Sequence, residues 1–225
     1  TTTTEPIYWK ILLDEIDFEN VGFALNMPQD SLFVRTMLPK TTLKDGVIDL
    51  KEASYYVKSF EMDNAELAYG PKEELSLKKI GLQLDSIYYC GRDIRANIEE
   101  FVFKERSGLE LVSTEGRIAS DSVLIQIPKF TMKTTASSLD LQTKIGWDVL
   151  EMKKTGVLSA KINAEIGKGD VAKILGGRDT LFLQTYPNKP FVFRADAEGD
   201  LNRLRLRTLE AGLAKAFELK AEGNL

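Results

Sequence analysis

The chain of 225 residues contains no histidine and one cysteine, Cys90. Without histidine there are no Ser-His or Cys-His nucleophile pairs, few possible zinc sites and no use of the commonest general base. A single cysteine cannot form an intramolecular disulfide or a thiolate metal cage. We therefore predict a protein that is not an enzyme and that uses no metal or other cofactor.

Long apolar runs and an excess of positive charge are missing as well. No apolar stretch approaches the roughly 20 residues that a membrane-spanning helix needs. A net charge of −4 offers no basic surface for nucleic acid. The hydrophobic share of 43% is nevertheless that of a folded domain and not of a disordered chain.

Alternation of apolar and polar residues dominates the sequence. From Leu158 to Ile166 every second residue is apolar, and similar stretches cover residues 80–84, 139–141, 191–197, 203–207 and 217–222. Side chains of a strand point alternately to opposite faces, so each stretch has one apolar and one polar side. The pattern predicts a mainly β fold with a largely antiparallel sheet that has one face in water.

Turn residues and short helices are expected to interrupt this sheet. Turns are predicted at residues 44–46, 106–108 and 186–190, where Gly, Pro, Asp and Asn collect. A short helix is predicted near residues 169–175, with Asp170 as its cap and glycines at its end. Trp147 to Lys154 is a second helix candidate, and Leu209 to Ala216 is either a helical turn or a continuing strand.

A block of sequence recurs near the end of the chain. Phe193 to Leu201 is matched 24 residues later by Phe217 to Leu225, and both blocks contain Ala-Glu-Gly, then Asp or Asn, then Leu. Either the sheet is built from true repeats, or it is a meander whose alternating strands resemble one another incidentally. We divide the chain into a first β-repeat portion, residues 1–150, and a second β portion with the short helix, residues 151–225.

Polar candidates for chemistry each have a simpler structural interpretation. Acids cluster at residues 14–19 and 99–100, and a two-carboxylate hydrolase would need such groups about 5 to 10 Å apart. A solvated strand face explains them equally well. Arg203, Arg205 and Arg207 would suit phosphates or lipid headgroups, or would pair with acids of a neighbouring strand. Ser137 and Ser138 have no partner base in the sequence and no nucleophile-elbow motif.

Four stretches in the middle of the chain carry a resemblance to a known family. They are Phe101 to Leu111, Glu115 to Ile118, Val123 to Met132 and Thr134 to Leu141. Their order is an alternating apolar strand, a Gly-x-Ile step, another strand, and a serine-containing segment that leads to Leu-x-Leu. This order resembles the AsmA/TamB-like proteins of Gram-negative envelopes. The chain departs from them in having no anchor, no C-terminal end and helical interruptions, so an internal fragment is expected.

The resemblance implies a long twisted sheet curled into an open, taco-like groove with an apolar concave face. It implies a segment that holds phospholipid acyl chains for transport between membranes and for outer-membrane biogenesis. The expected location is the periplasm, with an inner-membrane anchor outside this chain and an outer-membrane β-barrel protein as a partner. The alternative function is a structural or adhesive β-repeat module that binds another protein.

The residues expected to line the groove are the large apolar side chains of the alternating stretches. They are Phe101, Phe103, Ile125, Ile127, Leu139, Leu141, Leu158, Ile162, Ile166, Phe191, Phe193, Leu204, Leu206, Phe217 and Leu219.

Overall fold

The structure, a computed structural model, describes residues 8–27, 29, 32–70, 72–152, 156–176, 178 and 180–224. Its strands are β1 (Lys10–Met27), β2 (Leu32–Asp49), β3 (Ser54–Tyr69), β4 (Leu75–Cys90), β5 (Asp93–Glu105), β6 (Glu110–Ser120), β7 (Leu124–Thr134), β8 (Ser138–Gly146), β9 (Leu158–Ile166), β10 (Phe191–Gly199), β11 (Leu204–Leu213) and β12 (Phe217–Asn224). Its helices are α1 (Trp147–Leu150), α2 (Lys168–Leu175) and α3 (Thr180–Thr185).

The twelve strands form one sheet in which the spatial order is the sequence order. Every strand pairs antiparallel with the next. The sheet is curled and open, with β1 and β12 at its two edges. This confirms the predicted mainly β, antiparallel fold. The boundary predicted at residue 150 falls in the β8–β9 connection, and these two strands pair with each other.

The sheet narrows from its first strand to its last. β1 and β2 have 18 residues each, whereas β12 has 8. At about 3.4 Å per residue the strand length falls from about 60 Å to about 27 Å.

Irregular backbone interrupts the first four strands at matching positions. Asp45 in β2 and Ser86 in β4 have positive φ, and each lies beside Lys58 of β3 in the register. Asn20 and Asn64 also have positive φ and stand on either side of Pro39. Such points bend strands and re-aim their side chains. The turn predicted at residues 44–46 is therefore wrong, because the positive φ there serves a bend within β2.

A single layer accounts for most of the molecule. Its accessible surface is 15180 Å², against roughly 10,000 Å² for a compact monomer of this size. No large side chain of the described residues is completely buried. Within the same part of the chain, extensive contacts between elements join neighbouring strands, apart from a small contact of α1 with β8.

The helices lie in two strand connections. The helix predicted near residues 169–175 is α2, and Gly176 ends it in the left-handed conformation as predicted. The predicted cap is wrong, because Gly167 begins the helix and Asp170 points elsewhere. α1 covers only the start of the second helix candidate, whose Lys153 and Lys154 lie outside the described residues. Residues 209–213 continue as strand, and α3 was not predicted.

The recurring block has the same backbone at its glycines. Gly199 and Gly223 occupy equivalent positions and have φ of 147° and 155°, values that side-chain-bearing residues rarely adopt. A shared unusual conformation favours true repetition over incidental similarity.

The turn predicted at residues 106–108 is present before β6, and the turn predicted at residues 186–190 is present before β10.

Alanine substitutions at these two glycines should differ in cost. An added Cβ at Gly199 would collide with the carbonyl oxygen of Arg203, whereas at Gly223 it would meet no atom within 4 Å. We expect Gly199→Ala to lower the free energy of unfolding by about 3 kcal/mol, because backbone strain and the collision add. Gly223→Ala should lower it by about 1 kcal/mol, because only backbone strain acts there. Urea denaturation of both variants checks this, and equal losses would contradict the ranking.

Candidate functional site: an apolar sheet face

One row of side chains crosses the whole sheet on one face. Each member is directly opposite the next in the strand register. The row is Ile16, Leu43, Phe60, Leu84, Ile98, Gly116, Phe130, Leu141, Ile162, Ala195, Leu209 and Ala221. Directly opposed residues share a face, so this central row defines the apolar face of the sheet. With strands about 4.8 Å apart it spans roughly 50 Å.

The glycine in this row is filled by its neighbour. An added Cβ at Gly116 would lie 2.7 Å from a ring carbon of Phe130, so the ring covers the glycine backbone. The aromatic ring therefore keeps the apolar row continuous where β6 offers no side chain.

All fifteen predicted groove residues lie on this face. Leu141 and Ile162 belong to the central row, and the others follow it in parallel rows. One row joins Leu139, Ala164, Phe193, Ala211 and Leu219, and others join Ile127 with Thr143, Ala160, Ala197 and Leu206, or Ile125 with Ile145, Leu158 and Leu204 through Gly199. The remaining pairs are Leu82 with Phe101, Phe103 with Leu111, Ile166 with Phe191, and Leu213 with Phe217.

The apolar face is only partly covered. Most of these side chains are half-buried by their neighbours in the sheet, while Ile166, Phe217 and Leu219 are exposed to 38%, 52% and 50%. A closed sandwich would bury them almost completely. Strand β9, from Leu158 to Ile166, is therefore not sealed in a core.

Aromatic pairs extend the apolar surface toward the rims of the sheet. The rings of Tyr55 and Tyr89 are 5.9 Å apart, and both residues are more than two-fifths exposed. Phe101 and Phe103 are 5.5 Å apart, and Phe191 contacts Phe217 at 6.2 Å between ring centroids. These rings are surface residues of the apolar face and not the centre of a closed core.

The opposite face is polar and carries cross-strand ion pairs. Lys44 contacts Glu15 at 3.2 Å, and Arg194 contacts Glu210 at 3.1 Å. Arg207 donates two hydrogen bonds to one carboxylate oxygen of Glu198, at 2.5 and 3.1 Å. For Arg207 the structure thus has the predicted pairing with an acid of a neighbouring strand. Exposed pairs of this kind contribute little stability, so their main effect is to keep this face wetted.

All six acids predicted as candidates, at residues 14, 15, 17, 19, 99 and 100, are exposed. Glu100 also lines an open polar cavity of about 230 Å³ together with Glu61 and Asp63. The exposure of all six acids removes most of the support for a two-carboxylate hydrolase there. Among the described residues, no group of three or more His, Cys, Asp or Glu side chains could hold a metal ion.

Among the residues that the structure describes, the buried acid is Asp170 in α2, which is 2% exposed. Its carboxylate accepts hydrogen bonds from Ser137 at 2.6 Å and from Thr134, and Lys173 lies at 3.6 Å. Burial by itself raises the pKa of Asp170, but the two hydroxyl groups and the lysine charge outweigh it and hold the pKa below its ordinary value. A general acid would need the opposite shift. Ser137 donates its hydroxyl hydrogen to this carboxylate, so its side chain links the β7–β8 turn to α2.

An open cavity lies beside the end of β10, β11 and β12. Its volume is about 630 Å³. Its wall is largely apolar and includes Pro190, Val192, Leu213 and Phe217. Lys189, Lys215 and Glu218 line the same cavity. A wall that is largely apolar and carries a few charged groups is suited to an amphiphile.

Most of the apolar face formed by β1 to β5 was not predicted from the sequence. Ile16, Leu43, Phe60 and Ile98 stand in the central row although they belong to none of the predicted alternating stretches. Positive φ within these strands shifts the alternation by one residue. Asn, Asp and Pro inside otherwise apolar stretches are the sequence signal that could have revealed it.

Comparison of the chain with known families, curated proteins and solved structures gave no match in any of the three. No helix within the described residues is both long and apolar enough to cross a bilayer.

Proposed function

We propose that the apolar face holds the acyl chains of phospholipids and that the protein is a lipid-carrying segment of a cell-envelope protein. The continuous central row carries this proposal. It gives an acyl chain an uninterrupted apolar path across twelve strands, and each methylene removed from water contributes about 0.8 kcal/mol. A conduit of this kind needs no acid-base residues.

Two further observations support lipid as the ligand. A sheet with one layer leaves its apolar side chains half-exposed, and apolar surface of this extent on one face marks an interaction site. The opposite face is polar and carries ion pairs. Acyl chains on the apolar face would therefore have the sheet between them and a charged, solvated surface. Together with the resemblance to AsmA/TamB-like proteins, these observations support our proposal of a periplasmic segment that transports phospholipid between membranes and has an outer-membrane protein as its partner.

The two open edges favour a second candidate, a β-repeat module that binds another protein. Within the described part of the chain, β1 offers an unpaired edge of 18 residues, and an exposed edge is a template for strand addition. In that function a protein covers the apolar face, and no lipid accompanies the chain.

Photocrosslinking at neighbouring positions separates these functions. A photoreactive amino acid at Leu141 lies on the apolar face, and one at Gln142 lies on the polar face of the same strand. We expect phospholipid adducts in mass spectra for position 141 in cells, and none for position 142. Adducts with a protein at 141, or lipid at both positions in equal amount, would count against the lipid function.

A further inference from the structure

The described residues between β9 and β10, which are 167–176, 178 and 180–190, form a helical insert that differs from the neighbouring connections. It contains α2 and α3, whereas β7–β8 and β11–β12 are joined by turns of a few residues. In a sheet of this order the β7–β8, β9–β10 and β11–β12 connections lie at one end of the strands. The insert therefore stands at the same end as the largely apolar cavity of β10–β12.

The insert is fixed to the sheet and is not a free loop. Asp170 is held by the β7–β8 turn through Thr134 and Ser137, and Lys173 donates a hydrogen bond to Thr135 at 2.7 Å. Tyr186 is buried, and its hydroxyl donates to the carbonyl oxygen of Ile166 at 3.2 Å. Whatever the insert presents to solvent is therefore held in a defined position.

Large apolar side chains point from the insert into solvent. Leu181 is exposed to 76% and Ile174 to 67%. Phe182 is exposed to 44%, with its ring 5.6 Å from that of Tyr186. The hydrogen bonds that hold the insert to the sheet come from Asp170, Lys173 and Tyr186.

The charge of the insert is opposite to that of the chain. Residues 167–190 hold four lysines or arginines and two aspartates, while residues 1–100 hold eleven basic and eighteen acidic residues. Asp170 is buried against its own partners, so it offers no negative charge to solvent. Arg178 and Lys189 are exposed, and Lys215 of the β11–β12 turn joins Lys189 at the cavity.

We propose that the helical insert docks on an anionic phospholipid bilayer. Exposed leucine and isoleucine beside exposed cations match the chemistry of such a surface, where apolar side chains enter the headgroup boundary and lysine or arginine contacts the phosphates. Docking would hold the cavity of β10–β12, which Lys189, Lys215 and Glu218 line, at the membrane. This inference goes beyond the proposed acyl-chain binding, because a different set of residues carries it.

Vesicle flotation of the whole chain tests the proposal. We expect binding to vesicles of phosphatidylcholine mixed with phosphatidylglycerol, weak binding to phosphatidylcholine alone, and loss of binding at high salt. The double variant Arg178→Glu/Lys189→Glu should partition at least roughly tenfold more weakly. Leu181→Asp, at a solvent-exposed position, should weaken partition as well without changing the melting temperature.

A matched control reverses two cations outside the insert. Lys51→Glu/Arg203→Glu produces the same net charge, and both residues are exposed at the opposite end of the strands. It should bind the mixed vesicles within about twofold of the unmodified chain once the general charge effect is allowed for. Equal loss in both double variants, or equal binding to both kinds of vesicle, would overturn the proposal.

A partner other than a membrane would give different results in these experiments. If Leu181→Asp abolishes a dimer in sedimentation and vesicles do not bind, the insert contacts a second copy and the membrane proposal is overturned. Binding of a soluble fluorescent fatty acid, measured in parallel, should be unchanged in Leu181→Asp, because Leu181 lies neither in the central row nor in the wall of the β10–β12 cavity. Loss of vesicle binding with intact fatty-acid binding, or the reverse in the unmodified chain, therefore tells which of the two functions fails.

Discussion

Ile162→Asp is expected to weaken the binding of a fluorescent fatty acid by roughly tenfold or more, as measured by fluorescence titration. Ile162 is half-buried in the central row between Leu141 and Ala195. A carboxylate at this point would have to be desolvated by an acyl chain that crosses it, and no cation of the apolar face is directly opposite. Because every lipid path along the row passes this position, one substitution interrupts it.

The matched control is Asn163→Asp on the same strand. It adds the same single negative charge, but Asn163 is exposed on the polar face beside Arg194. Fatty-acid affinity should stay within about twofold of the unmodified chain, because the added carboxylate remains in water. Ile162→Ala separates charge from size, and should cost only the few methylenes that it removes. If Ile162→Asp and Asn163→Asp have equal effects, the apolar face does not bind the acyl chain.

Stability must be followed in the same variants. Removing a half-buried isoleucine from a sheet is expected to lower the free energy of unfolding by about 1 to 2 kcal/mol, which leaves a protein of this size folded. Circular dichroism of Ile162→Asp should show the β spectrum of the unmodified chain. A lost spectrum would assign the loss of affinity to unfolding, and Leu141→Ser would then provide a milder polar substitution in the same row.

The second half of the sheet could be predicted from the sequence because its alternation is nearly unbroken. β9 has the bounds of the alternating stretch, Leu158–Ile166. The register follows from the same pattern, since a slip of one residue would turn the apolar set of β9 toward water. Once one strand of an antiparallel meander is fixed, its neighbours must present their own apolar sets to the same face. The fifteen predicted residues therefore share a face.

The first half of the sheet could not be predicted in this way, because residues with positive φ interrupt the alternation of apolar and polar side chains in β1 to β4. Asp45-Gly46 has the composition of a hairpin turn, and its positive φ is indeed used. Local sequence does not tell whether such a residue reverses the chain or only bends it. In β2 the bend is matched by neighbouring strands, with Lys58 paired to Asp45 at 3.0 Å. That match depends on residues far apart in sequence.

Asp170 of the helical insert also shows that local sequence does not predict contacts between distant residues. A local pattern of Gly, Asp and apolar residues predicted the helix and made Asp170 its cap. The hydroxyl groups that hold Asp170 instead come from Thr134 and Ser137, 36 and 33 residues earlier. A contact over this distance is specified by the fold of the sheet, because the β7–β8 turn and the start of α2 meet only when β8 and β9 are paired.

Asp170→Ala is expected to lower the free energy of unfolding by about 3 kcal/mol, since it leaves two buried hydroxyl groups and Lys173 without their carboxylate. Urea denaturation measures the loss, and hydrogen exchange should show the amides of α2 exchanging faster than those of β9. Asp140→Ala removes an exposed acid from β8 and should change stability by no more than about 0.5 kcal/mol. Equal costs for the two variants would contradict a structural role for the buried carboxylate.

The pH dependence gives this contact a signature of its own. The pKa of Asp170 in the folded chain lies below its ordinary value of 3.8. Its contribution to stability is therefore complete above about pH 4 to 5 and is lost as the pH falls through the folded pKa. The stability gap between the unmodified chain and Asp170→Asn should be constant near neutral pH and should shrink only in this acid range. A gap that already narrows between pH 7 and 6 would mean that another group controls how the insert is held.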